Sequence, residues 1–157
     1  MKHILSVLVE NKPGVLARIS GLFSARAYNI DSLAVGETED PKTSRMTIVV
    51  DAADARILEQ ILKQLNRLID TISVIDLTRK EHVERQLLIV KVAFSPAKKK
   101  TIAALVKKYG AEIISTKKDS CVIELCDHSN KVREFLGHIG EFGIKELSRT
   151  GRVVVSL

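Results

Sequence analysis

The sequence lacks the long apolar segment that marks a membrane-spanning protein. Its apolar runs, such as residues 87–90, are strand-length and fall far short of the roughly 18 residues that a spanning helix needs. With 45% hydrophobic and 28% charged residues, the composition is typical of a globular protein rather than a disordered one. No small-residue cleavage pattern follows the first residues, so we expect no secretory signal and a cytoplasmic location.

Cysteine is also scarce, with only Cys121 and Cys126 in the chain. The two lie five residues apart in one predicted strand, and side chains alternate in direction along a strand. We therefore expect them on opposite faces, as two free thiols rather than a disulfide or a metal-binding pair.

Catalytic and metal-binding patterns are missing as well. The histidines, at positions 3, 82, 128 and 138, show no spacing to a carboxylate or nucleophile, and no glycine-rich phosphate loop follows a strand. Cys126, His128 and His138 form the only conceivable metal set, but they lack a second close pair of ligands. The sequence therefore predicts a protein that is not an enzyme, with no catalytic residues, no bound metal and no cofactor of its own.

What the sequence does contain is a repeated order of apolar patterns. In the first half, alternating or continuous apolar runs predict strands at 2–9, 30–35, 46–50 and 72–77, and apolar spacings of three and four predict helices at 15–27 and 57–68. Asp54 is a candidate N-cap of the second helix. The order is β-α-β-β-α-β.

The second half repeats this order with different residues. Strands are predicted at 87–94, 112–116, 120–125 and 151–157, with helices through 102–109 and 132–139 and a helix stop at Gly110. We predict an α+β protein of two tandem ferredoxin-like units, at 1–77 and 87–157, joined by a polar linker at 78–86. Residues 1–77 have a net charge of −1 and residues 78–157 have a net charge of +7, which together give the chain's net charge of +6. All of the positive excess therefore lies in the second half.

The turn between the first strand and the first helix is the main candidate for a binding site. The first N–H groups of a helix lack intrahelical acceptors and carry a partial positive charge, so they can hold a carboxylate. Gly14 allows a ligand to approach the backbone, and Asn11 offers a side-chain oxygen to an ammonium group. A purely structural turn is the other interpretation, because this pattern is common in turns.

Asn29, at the start of the second strand, is another candidate. It faces the strand-to-helix turn either within its own chain or across a dimer contact, and the spacing does not distinguish these. Asn29 also suits a helix-exit turn with no ligand, since asparagine tolerates left-handed backbone.

The basic second half raises nucleic-acid binding as an alternative. Its lysine triplet at 98–100 and its lysine pairs at 107–108 and 117–118 resemble a phosphate-binding surface. Tyr109 is the only aromatic residue near them that offers base stacking, so a solvated lysine-rich surface is the favoured interpretation.

The run ENKPGVLARISGLFSARAYNIDSL strongly resembles the ACT domain that opens the regulatory, or small, subunit of acetohydroxyacid synthase, also called acetolactate synthase. The segments SRMTIVV, LEQILKQLNRLIDTISVIDL and HVERQLLIVKV, and the turn at 149–151, extend the resemblance over almost the whole chain. The segments at 28–33 and 44–47 are specific to this subunit rather than to ACT domains in general.

This resemblance implies a ligand, a dimer and a partner. The ACT domains of two chains would pair side by side, and a branched-chain amino acid, typically valine, would bind at their interface. The implied contacts are Asn11, Gly14, Val15 and Leu16 of one chain with Asn29 and Ile30 of the other, and Val35 is a candidate for the side-chain pocket. The implied role is to stimulate a catalytic subunit and make it sensitive to feedback inhibition. Thiamine diphosphate, Mg²⁺ and FAD would belong to that catalytic subunit. An ACT-domain regulator that responds to amino acids and binds nucleic acid or another protein is the alternative.

Overall fold

The computed structural model describes residues 1–157, which form two compact units. The first unit comprises Met1–Val83 together with Gly151–Leu157, and the second comprises Glu84–Thr150. Antiparallel sheets with interspersed helices make up the structure, which confirms the prediction of an α+β protein with tandem ferredoxin-like units. None of the helices has the length and hydropathy needed to cross a bilayer.

The first unit has the predicted β-α-β-β-α-β order. Its elements are β1 (Lys2–Glu10), α1 (Val15–Ser24), β2 (Ile30–Glu37), β3 (Thr43–Asp51), α2 (Ala55–Asn66) and β4 (Thr71–Asp76). The strands are antiparallel in the order β2-β3-β1-β4, which leaves β2 and β4 at the edges. Leu5, Val7 and Val9 alternate along β1 and pack in the same core as the buried side chains of both helices.

Both helices of the first unit form where their apolar spacing predicts them, except that α1 ends at Ser24 rather than at 27, and Ala27 has a left-handed φ of 53°. Val15, Ile19 and Phe23 bury one face of α1. The carboxylate of Asp54 accepts a hydrogen bond from the backbone N–H of Ile57 at 2.9 Å, so the predicted N-cap of α2 is confirmed.

The second sheet has the strand order β6-β7-β5-β8, with β9 also paired to β5. Its elements are β5 (His82–Ala93), α3 (Lys99–Tyr109), β6 (Glu112–Thr116), β7 (Ser120–Asp127), α4 (Ser129–Ile139), β8 (Ile144–Arg149) and β9 (Val153–Ser156). A short 3₁₀ turn precedes α3, and Gly110 ends that helix with a φ of 66°, as predicted.

A buried acid explains how α4 begins. Glu84 of β5 is only 3% exposed, and its carboxylate accepts a hydrogen bond from the backbone N–H of Ser129 at 3.0 Å. The Nε2 atom of His128 lies 3.9 Å from the same oxygen. Glu84 therefore accepts a hydrogen bond from one of the N–H groups that a helix leaves unpaired at its start, although it lies on a strand rather than on the helix.

A strand does form within the predicted range 151–157, as β9, but the sequence analysis missed β8, which is the closing strand of the second β-α-β-β-α-β repeat. Ile144–Arg149 forms the strand of the second unit that was expected at 151–157, and all six of its residues are exposed. Its apolar residues, Ile144 and Leu147, are three apart, so the segment shows none of the alternation used to recognise strands. The predicted linker also differs from the structure, because residues 82–86 already belong to β5.

The C-terminal strap, Gly151–Leu157, belongs to the first unit. It lies on the sheet face opposite the helices, where Val154 is 1% exposed and packs with Ile4, Val49 and Leu77. The backbone N–H of Arg152 donates to Ser32 Oγ at 3.0 Å. Gly151 sits directly on the backbone of β2, where any Cβ would overlap the carbonyl of Leu33.

Candidate functional site

Asn11, at the exit of β1, is held by hydrogen bonds on one side of its amide only. Its Nδ2 donates to Glu37 Oε1 at 3.2 Å and to the Pro41 carbonyl at 2.9 Å, while its backbone N–H donates to the Lys42 carbonyl at 2.7 Å. The side-chain oxygen receives no hydrogen bond within the chain. Asn11 is exposed, so this oxygen is a fixed acceptor that faces solvent beside the turn.

Gly14 is the N-cap of α1 and has a φ of 85°, in the left-handed region that favours glycine. No side chain caps this helix end, and its first turn contains no acidic residue. Val15 is buried in the core, whereas Leu16 is 43% exposed and points away from it. The backbone N–H of Val15 donates to the Lys12 carbonyl at 3.4 Å, and no side chain caps the N–H groups that follow it. The turn therefore presents backbone donors with a partial positive charge next to an exposed apolar side chain.

Two ion pairs flank this turn. The ammonium of Lys12 lies 2.7 Å from Glu10 Oε2, and hydrogen bonding to that carboxylate raises the pKa of Lys12. The guanidinium of Arg18 lies 2.7 Å from Asp70 Oδ2. Glu10 and Asp70 are thus each paired with a cation, which reduces the repulsion that a bound carboxylate would meet. Glu37, which accepts a hydrogen bond from Nδ2 of Asn11, forms no ion pair and is the remaining negative charge beside the turn.

Asn29 and Ile30 lie far from this turn within one chain. In the sheet register Ile30 and His3 both pair with Val50, whereas Glu37 and Val9 both pair with Ser44. The two groups of predicted site residues are therefore at opposite ends of the sheet, roughly 20 Å apart at the ordinary rise of a strand. A single chain does not bring them together.

At its own end of the sheet, Asn29 is exposed and donates from Nδ2 to Asp31 Oδ1 at 2.7 Å. Asp31 also pairs with the ammonium of Lys2 at 3.0 Å. The hydrogen bond from Lys2, and to a smaller extent that from Asn29, lowers the pKa of Asp31. Asn29 is thus oriented by a carboxylate that stays charged near neutral pH.

Val35 is 46% exposed and lines a cavity of about 320 Å³ at the edge of the first sheet. Gly36, Glu37 and Thr47 line the same cavity, as does Val153 of the C-terminal strap. A cavity of mixed lining therefore exists beside the β2 edge: its valines offer apolar surface, while Glu37, which accepts a hydrogen bond from Asn11, and Arg45 also line it.

Glu37 and Arg18 take part in this region although sequence reasoning missed both. Glu37 is 26 residues from the asparagine that it orients, so no local pattern links the two. Arg18 is four residues after Gly14, which places both on one side of a helix, and that spacing was an available signal.

The structure bears on the alternatives of nucleic-acid binding and metal binding that the sequence raised. The seven lysines at 98–100, 107–108 and 117–118 form no salt bridge, but Tyr109 is only 3% exposed and offers no face for base stacking. No group of three or more potential metal ligands is present. Cys121 is buried and Cys126 exposed, and both are free, as predicted.

Two family models cover most of the chain. Residues 5–73 match the AHAS small subunit-like ACT domain, and residues 85–157 match the small subunit of acetolactate synthase. The chain is also 48% identical over 155 residues to the probable acetolactate synthase small subunit of Archaeoglobus fulgidus, covering 99% of this chain and 96% of that protein. The chain belongs to the acetolactate synthase small-subunit family.

Other members of the family agree with this assignment. The acetolactate synthase small subunit of Bacillus subtilis is 39% identical over 151 residues, which cover 96% of this chain and 88% of that protein. The crystal structure of the acetolactate synthase small subunit from Thermotoga maritima superposes with a TM-score of 0.90 at 34% identity, covering 100% of this chain and 98% of that one. The first unit is an ACT domain, and membership of this family implies a regulatory role.

Proposed function

We propose that this chain is a non-catalytic regulatory subunit of acetolactate synthase. It associates with the catalytic subunit, stimulates it and makes it sensitive to feedback inhibition by a branched-chain amino acid, with valine the favoured effector. The catalytic subunit holds thiamine diphosphate, Mg²⁺ and FAD, and the complex works in the cytoplasm. Membership of the small-subunit family supports this assignment.

The observation that supports an amino-acid site best is that hydrogen-bond donors for a carboxylate and an acceptor for an ammonium group lie at the same turn. The uncapped start of α1 suits a carboxylate, and the unpaired oxygen of Asn11 suits an ammonium group. These groups are close in the chain, as the two charged ends of a free amino acid require. Leu16 and the cavity at Val35 offer apolar surface for a branched side chain.

The sheet edge supports a homodimer that completes this site. Strand β2 has no neighbour on one side, and Val35 on it is exposed. If two β2 strands pair in an antiparallel manner, Ile30 of one chain lies opposite Glu37 of the other, because the ends of the strands are exchanged. Asn29 and Ile30 would then approach the partner's Asn11 turn.

A ligand that touches both chains favours one dimer arrangement over another. It shifts the equilibrium between them only by the difference between its two affinities. Feedback inhibition is, in this proposal, a shift toward an arrangement in which the catalytic subunit is less active. Valine, leucine and isoleucine would differ modestly in affinity, since one methylene discriminates by about 1–3 kcal/mol.

Isothermal titration of the full chain with L-valine, L-leucine, L-isoleucine and L-serine tests this proposal. We expect saturable binding of a branched-chain amino acid, weakened at least tenfold in Asn11→Ala, Gly14→Asp and Asn29→Ala, because each of these changes removes or obstructs a contact. Asn130→Ala is the matched control, since that exposed asparagine lies in the second unit. Inhibition of the reconstituted synthase should be lost in the same variants.

Two results would contradict the proposal in different ways. Unchanged affinity and feedback sensitivity in all three site variants would show that the effector binds elsewhere. Absence of binding to the full chain, both alone and in complex with the catalytic subunit, would exclude an amino-acid effector.

A further inference from the structure

Arg18 has one free edge, and that edge borders the turn at the start of α1. Its Nε and Nη2 atoms both lie 2.7 Å from Asp70 Oδ2, while Nη1 has no hydrogen-bond partner in the chain. A Cβ built on Gly14 would lie 3.2 Å from Nη1. The unused donor of the guanidinium is therefore beside the backbone of the N-cap residue.

Asp70 fixes the direction of this guanidinium. Its side chain is 10% exposed, and its own backbone carbonyl accepts the N–H of Glu10 at 2.9 Å, which ties it to the end of β1. A guanidinium held by two hydrogen bonds to a buried carboxylate loses little further freedom when it binds a second anion. The pair thus presents an oriented, permanently charged donor.

The local charges suit an anion at this position. The first turn of α1 has no acidic residue and no side-chain cap, and Glu10 is already paired with Lys12. Glu37 forms no ion pair, but it accepts a hydrogen bond from Nδ2 of Asn11 on the far side of that amide. The side chain of Arg18 is 48% exposed, so a ligand can reach it. Charge-assisted hydrogen bonds from arginine to a carboxylate are among the stronger contacts in proteins.

We propose that Nη1 of Arg18 binds the carboxylate of the effector, together with the backbone donors at the start of α1, and that Asp70 is its positioning residue. This inference rests on the amino-acid site proposed above and adds a requirement for the ligand's free carboxylate. It also gives Gly14 a second role, because a side chain there would push the guanidinium away from the site.

The test separates a ligand contact from simple neutralisation of Asp70. Titration with L-valine compares the wild-type full chain with Arg18→Gln, Asp70→Asn and the double variant that carries both changes. We expect Arg18→Gln to weaken valine binding on the order of 10- to 100-fold, the usual effect of losing a hydrogen bond between charged groups. The double variant removes both charges, so it keeps a neutral pair, and we expect its affinity to stay equally low.

Asp70→Asn should weaken binding less than Arg18→Gln, because the donor is kept and only its orientation is lost. Arg56→Gln on α2 is the matched control and should bind valine as the wild type does. L-valinamide, which lacks the carboxylate, should bind the wild-type chain at least tenfold more weakly than L-valine.

The possible failures are distinguishable. If the wild-type chain binds valine and Arg18→Gln binds it within twofold of that affinity, Arg18 does not contact the carboxylate, although the site itself stands. If the double variant regains wild-type affinity, Arg18 only neutralises Asp70. If the wild-type chain binds no branched-chain amino acid, both the site and this inference fail.

Discussion

The two cysteines of the second unit differ in their surroundings, and this difference predicts their reactivity. Burial raises the pKa of the Cys121 thiol, while Cys126 on the same strand is exposed. Thiol reagents attack the thiolate, so both the raised pKa and the lack of access protect Cys121. We expect one thiol per chain to react in the folded protein and two after unfolding.

A colorimetric thiol assay with and without denaturant measures this, with Cys126→Ser as the control that should remove the fast reaction. Equal reaction rates for both thiols in the folded protein would show that Cys121, on the buried face of β7, is accessible to solvent.

At the residue scale, sequence reasoning succeeded where the cause was local. The opposite exposure of the two cysteines follows from strand alternation, and the cap at Asp54 follows from its place before the apolar spacing of α2. It missed contacts made across the fold. Asp70 holds Arg18 from 52 residues away, and no spacing in the sequence connects the two.

Helix α2 offers a prediction at the element scale. Asp54 satisfies the N–H of Ile57, one of the donors that the helix leaves unpaired at its start. Asp54→Ala should lower the free energy of unfolding by about 1 kcal/mol, within the range of 0.5–2 kcal/mol for lost N-caps. Urea unfolding followed by circular dichroism measures the change.

Asp54→Asn is the control for this prediction, because asparagine caps helices about as well as aspartate and should leave most of the stability intact. A loss of the same size in both variants would mean that the negative charge, rather than the cap hydrogen bond, stabilises α2.

Elements with strong periodicity were predictable, and those without it were not. The helices around Ile61 and Phe135 bury one apolar face, and that spacing is visible in the sequence. Strand β8 is exposed along its whole length at the edge of its sheet, so burial imposes no alternation on its residues. The valines at 153–155 were mistaken for that strand because a short apolar run looks the same in either place.

At the scale of the whole molecule, the stability of the first unit depends partly on the C-terminal strap, which packs against its sheet. A chain that ends at Thr150 loses Val154, which is almost fully buried against Ile4, Val49 and Leu77. Burying one valine contributes about 1.5–3 kcal/mol, so we expect the first unit to lose at least that much stability.

Hydrogen exchange of the full-length and truncated chains checks this prediction. Amide protection in β1 and β3 should fall, while protection in β7 and α4 should change little. Val154→Ala is a milder variant that should produce a smaller loss in the same strands. Equal loss of protection in both units would contradict the assignment of the strap to the first unit.

The two repeats of one fold were evident from the order of predicted strands and helices. The assignment of residues 151–157 to the first compact unit was not. Residues 151–157 join the first unit through contacts with residues more than 70 positions earlier, such as Leu77, and such pairing leaves no local signature. For the same reason the expectation of a side-by-side dimer came from the family resemblance rather than from spacing.

The return of the strap gives the second unit the topology of an insertion. The chain leaves the first unit after Val83 and re-enters it at Gly151, so the contiguous ACT domain at residues 5–73 is completed by a segment from the far end of the sequence. An isolated ACT domain made by cutting the chain near residue 77 would lack part of its own sheet covering. Replacing residues 84–150 with a flexible linker would keep that covering, and it is the better way to obtain the domain alone.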